Sequence, residues 1–390
     1  MSIEYFTPLT GTLGGFLIGG SAAILLLFNG DILGASGIVS TTVLDPVKAF
    51  TDPCMTWKLA FLSSFLLFSN LVLGTYLEGD ERFGKNASIP VPSIIGYVLA
   101  GGLVGFGTRL GNGCTTGHGV CGMARLSIRS IAAVCTFMIT GIATAVLTAP
   151  DNHVTRDFTE FLRTSDVPKQ PMQWLGSIIS MFIVLPTILA IFRLFAMKEE
   201  SKKTAPTSQP KSINPSEDKT TQSEDDYACD PNVDLSDDRH KIIPAATGGL
   251  VFALGLAVSG MVYQGKVLGF LNLYLLSNGT YDPTLLLVMG GACIVSFVAY
   301  QFVRGWGILS HSWIRTCPLA AKKFSVPSST MIDTQLLLGA VCFGAGWGLA
   351  GICPGPAIYL AAIGTPSVIS YWWPAFLIGS FIALKVKERS

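Results

Sequence analysis

Two glycine-rich stretches carry the thiols of this chain that are best suited to binding chemistry. The first stretch, Gly107–Gly122, contains two cysteines and one histidine and directly follows an apolar run. The second, Gly346–Pro356, repeats its spacing and contributes a third cysteine. Glycine lets a backbone approach a ligand closely, and successive exposed N–H groups can form an anion-binding concavity. The matched stretches therefore predict two half-sites for one small anion. The aligned pairs are Gly107 with Gly346, Leu110 with Leu349, and Cys114 with Cys353.

The residues around these thiols add further polar groups. An S–H group is a weak hydrogen-bond donor, which suits a soft, sulfur-bearing anion that must bind and then leave. Arg109 adds positive potential at the mouth of the first stretch, and Arg125 is either a second such group or a cytosolic anchor. His118 is either a base or ligand of the site or a support that holds the loop by hydrogen bonds. The predicted substrate-binding residues are Cys114, Cys353, Gly113, Thr115, Gly117, His118, Cys121, Arg109, Pro354 and Gly355.

Composition places these loops in a membrane. Of the 390 residues, 50% are hydrophobic and 13% are charged, whereas soluble domains carry about 25% charged residues. The mean hydropathy is +0.52, and a formal net charge of +1 argues against nucleic acid as a partner. Scattered cysteines in a long chain do not form a secreted disulfide framework. Cys135, Cys293 and Cys342 lie within apolar runs, and we interpret them as small packing residues.

Nine apolar runs are long enough to cross a bilayer, which needs roughly 17–25 mostly apolar residues. Four shorter segments, 29–43, 111–126, 264–276 and 352–363, are too apolar for ordinary loops. They are either tight interfacial turns or re-entrant pieces, and we favour the second because irregular backbone at membrane depth must line protein or a water-filled cavity. The first run lacks a basic leader and is interpreted as a retained span. The predicted spans are 9–28, 56–77, 91–107, 128–149, 172–195, 243–262, 283–303, 333–350 and 368–386.

The re-entrant pieces come in matching pairs. Asn29–Gly34 resembles Gln264–Gly269, each directly after a span, and a cysteine loop follows each one at a similar distance. Four spans per half with one linking span between them turn the halves upside down relative to each other, as in many transporters with midplane sites. We predict an all-α polytopic membrane fold of two inverted repeats whose short re-entrant helices meet at the centre. The predicted units are a first repeat (1–150), a connecting loop and linking helix (151–197), a disordered polar linker (198–242) and a second repeat (243–390).

Charge distribution orients this fold. Lysine and arginine are more numerous in the short loops on the Cys114 side and in the C-terminal tail than in the opposite loops. The positive-inside bias therefore predicts a cytosolic C-terminus in the plasma membrane, or in the inner membrane of a bacterium. Sequons at Asn86 and Asn278 fall on the opposite face. The polar linker 198–242 is predicted to be solvated and available to a cytosolic partner.

Both cysteine stretches resemble known signatures. Asn112–Gly122, followed by Arg125-Leu126-Ser127, resembles the signature of the YeeE/YedE sulfur-transport family, and Gly351–Ala357 resembles its second signature. The resemblance covers both halves and omits the linker and the termini. It implies an hourglass-shaped thiosulfate importer whose central cysteines pass the anion along by S–H···S hydrogen bonds without covalent transfer. Cys114 would then be the inner relay thiol and Cys353 the outer one.

The chain departs from that pattern at one position. The bacterial thiosulfate importers of the family carry a third cysteine in the first re-entrant piece, whereas Gly34–Ser40 here contains none. Ser36 or Ser40 is the candidate substitute, as a hydroxyl donor.

We predict a transporter for thiosulfate or a related small sulfur-containing anion, with no cofactor and no enzymatic activity. Two alternatives stay open at this point. Cys114, His118, Cys121 and Cys353 offer thiolate and imidazole ligands that suit a soft metal, which would make the protein a metal transporter or sensor. A membrane sulfur-transfer enzyme would instead carry a persulfide on Cys114.

Overall fold

The structure of the protein, a computed structural model, describes residues 6–74, 92–149, 162, 172–204, 238–277, 279–303, 317–321, 323–327 and 329–389. The sequons at Asn86 and Asn278 and most of the predicted linker, 205–237, lie outside these residues. Residues 198–204 continue a long helix, and 238–242 begin the helical segment that opens the second half.

Helices make up both halves. The helices of the first half are α1 (Pro8–Asn29, with a π-helical last turn), α2 (Ala35–Leu44), α3 (Pro46–Thr51), α4 (Thr56–Leu67, continuing as a π-turn over Phe68–Gly74), α5 (Ile94–Leu110), α6 (Thr115–Gly122) and α7 (Ile128–Leu147). Helix α8 (Gln173–Thr204) links the halves. The helices of the second half are α9 (Ile242–Ser259), α10 (Gln264–Leu271), α11 (Thr284–Gln301), α12 (Thr334–Ala350), α13 (Pro354–Ala362) and α14 (Trp373–Arg389, preceded by a π-turn over Val368–Trp372).

Polar side chains define where several of these helices begin. Ser93, Ser127 and Asp333 precede α5, α7 and α12, and each side-chain oxygen accepts a hydrogen bond from the backbone N–H three residues later. Such N-caps satisfy donors that a helix leaves unpaired at its start.

The helices fit a membrane protein. In the part of the chain that the structure describes, six helices are long and apolar enough to cross a bilayer, and the count rises to eight if each bent pair forms one span. The bent pairs are α5 with α6, at 48°, and α12 with α13, at 43°. The remaining predicted run, 56–77, is helical as α4 and its π-turn. The all-α polytopic fold is confirmed.

The two halves pack with an approximate two-fold symmetry. Helix α1 packs on α11, and its counterpart α9 packs on α4. In the same way α5 packs on α14 while α12 packs on α7, and the pairs α1–α9 and α5–α12 meet across the centre. Helix α8 lies between halves that each contribute four long helices, so the repeats run in opposite directions, which is the arrangement the sequence predicted. The long helices are α1, α4, α5 and α7 in the first half and α9, α11, α12 and α14 in the second.

Glycines allow the equivalent crossings to be close. A Cβ atom on Gly105 of α5 would lie 2.0 Å from the carbonyl oxygen of Phe376 in α14. A Cβ atom on Gly344 of α12 would lie 2.5 Å from the carbonyl oxygen of Phe137 in α7. Small residues at helix crossings let backbones approach each other within a bilayer, and here they do so at matching places in both halves.

One sequence-based pairing is wrong in register. Gly30 ends α1 and Gly260 ends α9, both in the left-handed conformation at φ 71°, so these two glycines occupy the same place in the fold. The piece that begins at Gln264 as α10 therefore corresponds to α2, which begins at Ala35, and not to Asn29–Gly34. Similar short apolar sequences suggested the wrong alignment, while the C-cap glycine, which tolerates positive φ, marks the right one.

Candidate functional site

The two cysteine loops meet at the centre of the fold. Cys114 immediately precedes α6 and Cys353 immediately precedes α13, so each thiol lies at the start of a short re-entrant helix. The hydroxyl of Thr115 donates a hydrogen bond to the Cys353 thiol at 3.5 Å. The two matched stretches of the sequence thus form one site, as the prediction of meeting re-entrant helices requires.

Cys114 is sealed inside this junction. Its side chain is 1% exposed, and its sulfur lies 3.1 Å from the hydroxyl oxygen of Thr116, where either group can donate. The same Thr116 oxygen accepts a hydrogen bond at 3.1 Å from the backbone N–H of Ala35, the first residue of α2. Thr115 and Thr116 therefore connect both cysteines and the first re-entrant piece.

His118 supports the loop. Its Nε2 lies 3.1 Å from the Gly111 carbonyl oxygen, and because a carbonyl can only accept, Nε2 is the protonated nitrogen of the neutral ring. Nδ1 then accepts from the Ser130 hydroxyl at 3.2 Å, which ties the loop to α7. Gly113 has to be small, since a Cβ atom there would lie 2.5 Å from the His118 ring. Of the two roles that the sequence left open for His118, the geometry supports that of a loop support.

The other thiols occupy distinct places. Cys121 is 2% exposed, and its thiol donates to the Leu33 carbonyl oxygen at 3.6 Å, away from Cys353. Cys293 of α11 donates to the Gly119 carbonyl oxygen at 3.3 Å and lines a cavity at the site. Sequence analysis missed this position of Cys293, because a cysteine in an apolar helix is usually a packing residue. Within the described ranges, no three His, Cys, Asp or Glu side chains are grouped so that they could hold a metal ion.

Two cavities approach the junction from different sides and share no lining residue. The polar vestibule, of about 270 Å³, touches the loop at Gly113 and Gly117. The apolar vestibule, of about 360 Å³, touches it at Thr115, Thr116 and Cys353. Cys114 lines neither cavity; it is buried between Gly113, which touches the polar vestibule, and Thr115, which touches the apolar one. The polar vestibule is otherwise lined chiefly by Asp31, Ser36, Ser40, Trp57, Lys58, Thr108 and Arg109. The apolar vestibule is otherwise lined chiefly by Met261, Val267, Phe270, Leu285, Leu286 and Cys293.

The two vestibules are equivalent by the approximate two-fold symmetry. Asp31 and Met261 each directly follow a C-cap glycine, and Lys58 and Leu286 are each the third residue of their helix, α4 and α11. Each pair contributes one residue to each vestibule. Polar residues therefore line the cavity on one side of the cysteine loops, and apolar residues line the cavity on the other.

The remaining predicted site residues lie around this centre. Arg109 is part of the polar vestibule, and Pro354 and Gly355 form the first turn of α13 behind Cys353. Arg125 is half-buried and lines neither vestibule, and its guanidinium donates a hydrogen bond to the Pro327 carbonyl oxygen at 2.9 Å. Of the two roles considered for Arg125, the structure favours the anchor.

Comparison with known proteins decides the family. Residues 4–144 match the family described as sulphur transport, and residues 240–389 match a family of unknown function (DUF6691). A "Probable transporter" of Xylella fastidiosa strain Temecula1 is 38% identical over 146 residues, which cover 37% of this chain and 90% of the relative. A second "Probable transporter" of the same strain is 42% identical over 146 residues, covering 36% of this chain and 93% of that relative.

The chain belongs to the YeeE/YedE sulfur-transport family. As a YeeE/YedE protein it is a multi-pass membrane transporter and not an enzyme. Each relative is matched over about nine tenths of its length by little more than a third of this chain. Each relative therefore has roughly the length of one half, which agrees with the division of this YeeE/YedE chain into two repeats.

Proposed function

We propose that this protein takes up thiosulfate, or a closely related small sulfur-containing anion, through the constriction at Cys114 and Cys353. The anion passes from one vestibule to the other by hydrogen bonds with the two thiols, and no covalent sulfur transfer takes place. A thiol is a weak donor, so it can hold a soft sulfur atom and release it again. Transport is facilitated or follows an ion gradient.

One observation supports this proposal above the others. The two cysteines that the repeats share lie at one constriction, joined through Thr115 and Thr116, with a separate cavity on each side. A relay at the narrowest place of the pathway accounts for both cysteines.

We further propose that the polar vestibule faces the cytosol of a cell whose plasma membrane, or inner membrane in a bacterium, holds the protein. The Lys387 ammonium near the C-terminus donates to the Arg109 carbonyl oxygen and to the Asn112 side chain, both at 2.7 Å. The C-terminus and the polar vestibule are therefore on one face, which the positive-inside bias assigns to the cytosol. The linker 198–242 is then available to a cytosolic partner on the same side.

Uptake of radiolabelled thiosulfate tests the function. Cells that lack other sulfate and thiosulfate importers would express the wild type, Cys114→Ala, Cys353→Ala, or the control Cys135→Ala, which changes an exposed thiol on α7. We expect the first two variants to lose uptake and the control to retain it. Absence of uptake by well-expressed wild type would refute the substrate, and uptake by all four proteins would refute the relay.

A further inference from the structure

Two cations line the polar vestibule side by side. Lys58 on α4 and Arg109 at the end of α5 are both partly buried, and both contribute to the wall of the same cavity of about 270 Å³. The Lys58 ammonium lies 5.7 Å from the centre of the Trp57 ring. Among the residues that the structure describes, neither cation makes a hydrogen bond or an ion pair through its side chain.

The charges in this cavity do not balance. Among the described residues that line it, Asp31 is the one carboxylate, against the two cations Lys58 and Arg109. Placing charged groups away from bulk water is costly unless an opposite charge compensates them. Two neighbouring cations also repel each other. Both costs fall when an anion with two negative charges enters the vestibule.

The opposite side of the fold provides a contrast. Lys266 on α10 is paired there with the carboxylate of Asp282 at 3.4 Å and donates to the Thr7 hydroxyl at 2.7 Å. The apolar vestibule has Leu286 where the polar vestibule has Lys58. Among the described residues, an excess of positive charge therefore lines the polar vestibule and not the apolar one, so it does not follow from the repeated fold.

Neutral donors line the same cavity. Ser36 and Ser40 on α2 are 5% and 4% exposed, and Thr108 is 4% exposed. The hydroxyls of Ser40 and Thr108 donate to the Gly37 and Gly105 carbonyl oxygens at 3.5 and 3.3 Å, so these two would have to turn to reach an anion. The glycines of the loop, Gly113 and Gly117, complete the wall beside Cys114. Hydroxyl groups and cations together are the groups that bind tetrahedral oxyanions, because they donate to several oxygens at once.

We propose that the polar vestibule is a binding site for a doubly charged tetrahedral oxyanion, held by Lys58 and Arg109. This inference rests on the proposed function and deepens it. In thiosulfate the three oxygens contact the cations and the hydroxyls of α2, and the terminal sulfur points to Cys114. Sulfate has the same charge and shape without that sulfur, so it binds in the vestibule and competes, but it is not passed on.

Direct binding to the purified full-length protein tests this site. Equilibrium dialysis with radiolabelled sulfate would compare the wild type with Lys58→Gln, Arg109→Gln and the double variant. Lys385→Gln is the matched control, since Lys385 is an exposed cation near the C-terminus, paired with Glu388. We expect each single variant to weaken sulfate binding by about tenfold, the size expected for one hydrogen bond to a charged group, and the control to bind as the wild type does.

Further measurements separate the possible outcomes. Thiosulfate should displace bound sulfate, whereas acetate at the same concentration should not, because two cations favour a dianion over a monoanion. Unchanged sulfate binding by a folded double variant would overturn the site. If that variant still carries thiosulfate normally, the proposed function survives without the site. If the wild type binds sulfate through Lys58 and Arg109 but carries no thiosulfate, the site survives and the proposed function fails.

Discussion

The polar and apolar vestibules have the same backbone plan and opposite chemistry. Asp31 and Met261 occupy equivalent places, as do Lys58 and Leu286, yet one cavity is charged and the other is almost entirely apolar. The shared elements hold the constriction, since both halves contribute a cysteine at the start of a re-entrant helix. The repeated fold therefore brings the two cysteine loops together, and the unshared side chains make the two vestibules chemically different.

The strongest expected difference is between the thiols that line the apolar vestibule and those buried beside it. Cys353 and Cys293 line the apolar vestibule, while Cys114 and Cys121 line neither vestibule. A small membrane-permeant maleimide should modify the first two about tenfold faster or more, because close-packed interiors exclude such reagents. Mass spectrometry of the digested protein measures this. Modification of Cys114 as fast as Cys353 would show that the constriction is open.

The shared scaffold should respond equally in both halves. Gly105→Ala and Gly344→Ala each place a Cβ atom 2.0 Å from a neighbouring oxygen, that of the Phe376 carbonyl or of the Thr140 hydroxyl. Overpacking of this kind costs about 1–3 kcal/mol, so both variants should lower the Tm of the purified protein. Gly20→Ala is the control, as nothing lies within 4 Å of its added Cβ. A lower Tm in only one of the two variants would contradict the symmetric packing.

The two threonines at the junction should differ in their effects. Thr116→Val leaves the buried N–H of Ala35 without its acceptor, which costs about 1–3 kcal/mol, and also removes the partner of Cys114. Thr115→Val removes only a bond of 3.5 Å to Cys353. We expect Thr116→Val to lower both Tm and uptake more than Thr115→Val does. Equal effects of the two variants would show that α2 is not held through Thr116.

The smallest expected effect lies outside the pathway. Arg129 pairs with Asp333 at 2.8 Å and holds the pKa of that carboxyl below its usual range. The Asp333 side chain is 46% exposed, so solvent screening limits the pair to below about 1 kcal/mol. A lowered pKa means that this stabilisation exists above the ordinary carboxyl pKa and disappears as the pH falls through the lowered value.

Melting curves between neutral and acidic pH check this pair. Arg129→Gln should reduce Tm slightly at neutral pH, and the difference from the wild type should shrink once Asp333 is protonated. The part that remains comes from the hydrogen bond that Arg129 donates to the Met331 carbonyl oxygen. Lys385→Gln, which breaks an exposed pair with Glu388, is the control. A constant difference between Arg129→Gln and wild type at every pH would mean that the carboxyl group is not involved.

The sequence predicted the helices and the meeting of the cysteine loops because both depend on local pattern. Long apolar runs predict membrane spans, and the matched stretches around Cys114 and Cys353 predict two repeats. The predicted alignment of the first re-entrant pieces was wrong, because short apolar sequences align in several ways. The glycines that show the correct alignment, Gly30 and Gly260, are recognised only by their backbone conformation.

Side-chain partners from distant parts of the chain could not be predicted. The Nδ1 atom of His118 accepts a hydrogen bond from the Ser130 hydroxyl of α7. The thiol of Cys293, on α11 of the other half, donates a hydrogen bond to the Gly119 carbonyl oxygen of the loop. The presence of both Lys58 and Arg109 in the wall of one cavity likewise depends on how α4 and α5 pack. These contacts arise from tertiary structure, and no spacing in the sequence encodes them.

Transport by the purified protein in liposomes tests the central claim most directly. Uptake of radiolabelled thiosulfate and of radiolabelled sulfate would be compared for the wild type, Cys114→Ala and Cys353→Ala. We predict that the wild type carries thiosulfate and not sulfate, and that both variants carry neither while still binding sulfate as the wild type does. Wild-type rates of thiosulfate transport in either cysteine variant would contradict a relay at the constriction.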